Sequence, residues 1–247
     1  MRKFRINILI LQGLKINSSI KFEISTMTIN CKGELIDLST PKVMGILNTT
    51  PDSFYYGGKF SNDSELLKQV ESMLVNGATF IDIGGYSSRP GANDVTEDEE
   101  LKRVLPAISS IINTFPDTVI SIDTFRSEVA KQSIAAGASL VNDISGGQLD
   151  EKMFKTIGDL QVPYIMMHMR GNPKTMQSLS DYSNITRDLI LYFSSRIKQA
   201  QEHKMIDIII DPGFGFSKTT NQNYKLLKEL QLLKELDKPI LAGVSRK

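Results

Sequence analysis

Short apolar runs rich in β-branched residues recur along the chain, at residues 43–47, 79–83, 119–123, 139–143, 163–167, 206–211 and 239–243. Their continuous apolar character suits parallel strands covered on both faces. Between them lie segments with apolar residues at every third or fourth position, over 63–76, 97–114, 127–136, 151–160, 185–204 and 223–236. That is the spacing of helices with one buried stripe. Gly77 and Gly137 follow two of these segments as stop signals. Strand and helix in regular alternation predict an α/β fold, a TIM (β/α)8 barrel in preference to an open doubly wound sheet. Ahead of the alternation, residues 28–38 hold two short runs around Lys32-Gly33, the pattern of a β-hairpin.

The repeat count leaves a gap. A barrel of eight units takes about 250 residues, about 31 per unit, so one beginning at Val43 would run to about residue 290. Within the 247 residues, helix 7, strand 8 and helix 8 are therefore expected to be missing. An open edge would expose apolar side chains worth ~1.5–3 kcal/mol each. Residues 27–247 are read as one incomplete barrel domain and residues 1–26 as an N-terminal extension outside it. The run Ile8-Leu9-Ile10-Leu11 is bracketed by Asn7 and Gln12 with no small-residue cleavage site after it, so it is not read as a signal peptide. No apolar run approaches the ~20 residues of a membrane span.

Charge and composition narrow the function. Lys plus Arg number 29 against 28 for Asp plus Glu, a net charge of +1, which gives no general attraction to nucleic acid or an anionic membrane. The single cysteine, Cys31, excludes a disulfide scaffold and a Cys-based zinc site, and fits a cytoplasmic location. His168 and His203 stand too far apart in sequence to form a cluster, so a metal would need oxygen ligands.

Chemistry in such barrels sits at the C-terminal ends of the strands. Those positions read Asn48, Gly84-Gly85, Asp123, Asn142, His168, Asp211 and Ser245-Arg246-Lys247. Taken singly, each Asp or Asn could merely cap the following helix; together they describe a polar pocket floor. Carboxylates beside amides suit a flat heterocycle with an amino-ketone edge, since a carboxylate can accept two N–H bonds from a guanidine-like group. Loops containing Thr49-Thr50-Pro51-Asp52-Ser53-Phe54 and Ser88-Arg89-Pro90-Gly91 suit an anionic phosphate. Asn48 is a plausible oxygen ligand for Mg²⁺, an ion that takes few protein ligands alongside substrate phosphates. Plainer roles are assigned to Asp82 (a buried hydrogen bond), His168 (a buried, satisfied side chain), Met166, Met167 and Met169 (core) and the charged residues of 225–238 (a solvated helix face).

Seven motifs in order make the sequence resemble the dihydropteroate synthase family. They are Met44-Gly45-Ile46-Leu47-Asn48-Thr49-Thr50-Pro51-Asp52-Ser53-Phe54; Ile81-Asp82-Ile83-Gly84-Gly85 with Ser88-Arg89-Pro90-Gly91; Ser121-Ile122-Asp123-Thr124; Val141-Asn142-Asp143-Ile144; Met167-His168-Met169-Arg170-Gly171-Asn172-Pro173; Asp211-Pro212-Gly213-Phe214-Gly215-Phe216; and Gly243-Val244-Ser245-Arg246-Lys247. The resemblance covers about residues 27 to 247. It implies condensation of 6-hydroxymethyl-7,8-dihydropterin diphosphate with p-aminobenzoate, giving dihydropteroate and diphosphate for folate synthesis, with sulfonamides as competitors. It places Asp123, Asn142, Asp211, Gly243 and Lys247 on the pterin, and Asn48 on a Mg²⁺ cofactor that binds the diphosphate. Ser88 and Arg89 fall on the diphosphate and aminobenzoate side, and Phe54, Pro90, Phe216 and Ser245 around the aminobenzoate. The implied partners are these small molecules and, for a full-length parent, a second copy in a homodimer. Departures are Tyr55-Tyr56 after the first-loop Ser-Phe, where the family carries Ser-Asp, and Tyr86 where it commonly carries Glu. The family's Arg and His after strand 8 are also missing, from which the 247-residue chain is expected to be inactive or nearly so. Two other readings compete: a methyltetrahydrofolate-dependent methyltransferase domain, and a pterin-binding module without catalysis.

Overall fold

The computed structural model describes residues 8–12, 27–49, 59–86 and 94–244. Seven parallel strands carry the fold: β4 (Lys42–Asn48), β5 (Ala78–Gly84), β6 (Val119–Asp123), β7 (Leu140–Asp143), β8 (Tyr164–Met167), β9 (Ile208–Asp211) and β10 (Ile240–Val244). Each hydrogen-bonds its sequence neighbour in parallel. The eighth position is taken by β1 (Ile8–Gln12), antiparallel to both β10 and β4, so the barrel is closed. The eighth parallel strand is absent among the described residues, as expected, while residues 8–12 of the expected extension stand inside the fold in its place. The physical reason lies in the unpaired N–H and C=O groups on the facing edges of β4 and β10. An apolar, β-branched run such as Ile8-Leu9-Ile10-Leu11 can pair with both.

Helices clothe the strands: α1 (Lys59–Val75), α2 (Glu97–Thr114), α3 (Ser127–Ala136), α4 (Met153–Leu160), α5 (Ile185–Glu202) and α6 (Thr220–Lys228). Helix α2 begins at Thr96, whose side chain accepts from the Glu99 amide, and four acidic residues fill its first turn, where the helix dipole favours negative charge. One expected helix, 223–236, is split into α6 and a 3₁₀ segment, Leu230–Leu236. Leu226 and Leu233 are nonetheless fully buried, so the segment keeps one packed face beneath its charged residues. The strand expected at 206–211 begins at Ile208, with Ile206 exposed.

Alternation along each strand sorts side chains into two cores. Outward residues such as Ile81, Ile83, Ile122, Val141 and Ile210 pack under the helices. Met44, Phe80, Leu140, Ile165, Ile209 and Leu241 fill the lower barrel interior. The hairpin of β2 (Thr28–Cys31) and β3 (Glu34–Asp37) adds Ile29, Cys31 and Leu38 to that interior cluster, stoppering the N-terminal end. Its turn has positive φ at both Lys32 and Gly33, a two-residue geometry that follows strand twist and that glycine adopts without strain. The Asn30 amide donates to Asp207 Oδ2 at 2.8 Å, fastening the hairpin just ahead of β9.

A candidate active site at the C-terminal mouth of the barrel

Interior-facing positions change character toward the other end. Asn48, Gly84, Asp123 and Asn142 are register partners across four adjacent strands, β4 to β7, so they form one row across the mouth. A Cβ at Gly84 would lie 3.4 Å from Asp123 Oδ2 and 3.7 Å from Asn48 Oδ1, which places both side chains around that glycine. Asp211, opposite Met167 of β8, ends β9 two residues beyond Ile209, to which the register of Asn142 leads through Ile165. Asp82 and its register partner Ser121 lie one interior layer lower, both buried. Asp82 Oδ2 accepts from Asn142 Nδ2 at 2.9 Å, the buried hydrogen bond expected of it.

The electrostatics are those of crowded acids out of water. Burial, followed by repulsion from Asp82, Glu100, Asp143 and Asp211, pushes the Asp123 carboxyl well above its usual range. Burial raises Asp82 as well, against the hydrogen bonds from Ser121 and Asn142. Asp211 rises to about 6, because burial outweighs its bond from the Gly213 amide and the nearby Lys218 charge. A cavity lined this way favours a ligand that brings N–H donors or positive charge, since either restores what the carboxylates lose on leaving water.

An apolar wall stands beside this floor. Ile144, Met167, Met169 and Met176 form a buried cluster against which Phe125 and Phe216 pack. Met166 joins the helix-side core. Next to Phe125, the Arg126 guanidinium lies 4.8 Å from its ring centroid and 5.7 Å from that of Tyr86, with the two rings edge-on at 5.1 Å. Arg126 also pairs with buried Glu100 and donates to the Val95 carbonyl at 2.6 Å. Tyr86 therefore fills the place commonly held by Glu with a packed ring on a cation.

Sequence reasoning brought Asn48, Asp123, Asn142, Asp211 and Phe216 to one end of the barrel, and the structure gathers them there. Gly243 lies on β10, the strand next to β9. Phe54, Ser88, Arg89, Pro90, Ser245 and Lys247 fall outside the described residues, as do Tyr55 and Tyr56. His168 is buried, as expected, yet its ring bond runs to a lysine: Lys218 Nζ sits 3.0 Å from its Nδ1. Lys218 was not singled out from sequence. Its only signal was a cation shortly after a glycine loop. Asn48 is exposed at the mouth, and among the described residues no group of three His, Cys, Asp or Glu could hold a metal. An exposed, neutral oxygen donor at the end of a strand fits Mg²⁺, which keeps water and phosphate in most of its coordination sites. No described helix is long and apolar enough to cross a membrane.

A parallel α/β barrel with a carboxylate–amide floor at its C-terminal mouth defines a class of enzyme that grips a nitrogen heterocycle. The model of the pterin binding enzyme family matches residues 44–247, and the chain belongs to that family. Within it the similarity is to dihydropteroate synthases. The chain is 46% identical to the dihydropteroate synthase of Synechocystis over 207 residues, 83% of this chain and 71% of that protein. It is 50% identical over 212 residues to a folic acid synthesis protein of Pneumocystis carinii, covering 83% of this chain but only 28% of that longer protein. A solved structure of Xanthomonas albilineans dihydropteroate synthase with 4-aminobenzoic acid superposes with a TM-score of 0.82 at 36% identity, covering 90% of this chain and 80% of the other.

Proposed function

We propose that this site performs dihydropteroate synthesis, joining a dihydropterin methyl diphosphate to p-aminobenzoate. The register row of Asn48, Asp123 and Asn142, with buried Asp211 at the same end of β9, sets two acids beside two amides at one mouth of the barrel and is the observation that carries the reading. Asp211 and Asn142 offer a carboxylate and an amide to the amino-ketone edge of a pterin. Asp123 stands on the same rim to accept from a further ring N–H. The arylamine nitrogen attacks the exocyclic methylene, the C–O bond to diphosphate breaks with its electron pair leaving on oxygen, and the amine sheds a proton. Positive charge that gathers on the electron-rich ring as that bond breaks is met by acids already fixed in place, which lowers the barrier without reorganisation. No step calls for a covalent nucleophile. The protein's share is orientation and charge stabilisation. Phe216 and Phe125 supply a flat apolar wall for the aryl ring, where a sulfonamide would compete.

Asn48 would contribute one oxygen ligand to a bound Mg²⁺, and the ion would supply charge neutralisation for the departing diphosphate. Asn48→Ala is expected to weaken binding of the pterin diphosphate while leaving that of the unphosphorylated pterin unchanged. Calorimetric titration of the chain with the pterin diphosphate and Mg²⁺, followed by chromatography for dihydropteroate after adding p-aminobenzoate, tests the whole reading. Saturable binding, with slow formation of an arylamine product that a sulfonamide suppresses, is the expected result. Absence of pterin binding would overturn it, and binding without product would reduce it to a pterin-binding module.

A further inference from the structure

We propose that Lys218 is the positioning residue of the arylamine half of this site. Its ammonium ties the loop between β9 and α6 to the end of β8, fixing Phe216 relative to the carboxylate of Asp211. This deepens the proposed function and rests on it.

The loop turns its backbone carbonyls inward onto one cation. Lys218 Nζ donates to the carbonyls of Phe216 at 2.9 Å, Gly213 at 3.0 Å and His168 at 3.3 Å, and stands 3.0 Å from His168 Nδ1. These four acceptors come from two separated segments, the end of β8 and the glycine loop. The amine is therefore what they share. The same loop is tied to the site at both ends: the Gly213 amide donates to Asp211 Oδ1 at 2.7 Å, and the Phe216 amide to the Gly213 carbonyl at 3.1 Å. Gly213, at φ 66°, lays its backbone on the His168 carbonyl so closely that a Cβ would overlap that oxygen. Ser217, also at positive φ, accepts from the Arg170 amide at 3.0 Å. Without a donor at the centre, the converging carbonyl dipoles would repel, and those of Phe216 and His168 would lose the bond that Lys218 gives them.

The charges around the amine are few. Asp211 attracts it, Arg170 opposes it, and His168 faces it as a neutral ring, because burial drives His168 down to about 2. Nδ1 is then an acceptor and the proton sits on Nε2. Burial brings Lys218 itself down to about 7, so the three-donor ammonium gives way to a two-donor amine just above neutrality. The grip on Phe216 is complete below that pH and loosens above it. Aryl binding inherits this profile, whereas pterin binding depends on Asp211 and weakens on the acid side.

The test is Lys218→Met, which keeps length and removes every donor, with Lys218→Gln as a second variant that retains an amide donor. Sulfonamide affinity is titrated on the full chain with unreactive 6-hydroxymethylpterin present, from pH 6 to 8.5, and amide hydrogen exchange is followed at Phe216. Wild type is expected to lose sulfonamide affinity as pH rises through about 7. Lys218→Met is expected to lose tenfold or more at pH 6.5, with a flat pH profile, a change under threefold in pterin affinity, and faster exchange at Phe216. Lys218→Gln should fall between the two and also be flat. Unchanged affinity and exchange in either variant overturn the proposal. Equal losses for pterin and sulfonamide also overturn it, because they mark a general loop defect. If wild type binds no pterin, the function proposed above fails, and the exchange comparison still decides whether Lys218 holds Phe216.

Discussion

Asp211 gives the sharpest quantitative prediction. Folding carries its carboxyl from an ordinary 3.8 to about 6. At about 1.4 kcal/mol per tenfold change in dissociation constant, the ionised form costs the folded chain about 3 kcal/mol. An acid raised by folding holds its proton more tightly in the native state, so stability falls as pH climbs from 3.8 through 6 and the full cost is present above that. Asp211→Asn removes the charge, keeps the shape and leaves an Oδ1 to accept from the Gly213 amide, as Asp211 does now at 2.7 Å. The variant is therefore expected to be more stable than wild type at pH 7.5, by up to about 3 kcal/mol, or about 6–12 °C in Tm for a chain of this size. At pH 4 wild-type Asp211 is largely protonated in the folded chain, and the advantage should shrink below about 1 kcal/mol. Pterin affinity should collapse relative to wild type at pH 7.5, where the ionised acceptor is gone, and differ little at pH 4, where wild type has already lost that ionised form; stability and function would be traded at one residue. Urea melts of both proteins at the two pH values make the measurement. A variant less stable at pH 7.5, or an advantage that does not shrink in acid, would refute the reasoning.

Other outcomes follow from the same geometry. Asp82→Asn replaces a pure acceptor by a group that can also donate, so the Asn142 amide loses its fixed orientation; pterin affinity, followed by calorimetric titration, should drop about tenfold, the worth of one hydrogen bond to a charged group. Gly158→Ala places a methyl over the His203 carbonyl oxygen, and thermal melts should show a loss of about 1–3 kcal/mol, the range for overpacking. Cys31, buried and pushed up to about 12, should resist alkylation at pH 7.5 until urea opens the chain.

The strand positions and their polar ends were legible because two independent patterns coincide in them. An apolar run marks each strand, and the break to Asp or Asn marks where it leaves the core. Helices α2 and α3 match their expected spans because Thr96 and Gly137 punctuate them chemically. The break between α6 and the 3₁₀ segment was not legible, since apolar spacing continues through it and packing of Leu226 and Leu233 decides the turn. The role of β1 was hidden for a different reason: strand pairing is a relation between distant segments, and four apolar residues do not say whose edge they meet. Lys218 and Arg126 were missed likewise, because a half-buried cation reads in sequence like an exposed one. Only the carbonyls and carboxylate that surround it distinguish the two.

The hairpin at the base has a consequence for traffic through the molecule. With Ile29, Cys31 and Leu38 stoppering the lower interior, the barrel is a blind well. Whatever enters must also leave by the rim that carries the acids, and water displaced from the floor has the same exit. Two substrates sharing one doorway cannot approach from opposite sides; the deeper one must be seated before the shallower one can lie across it.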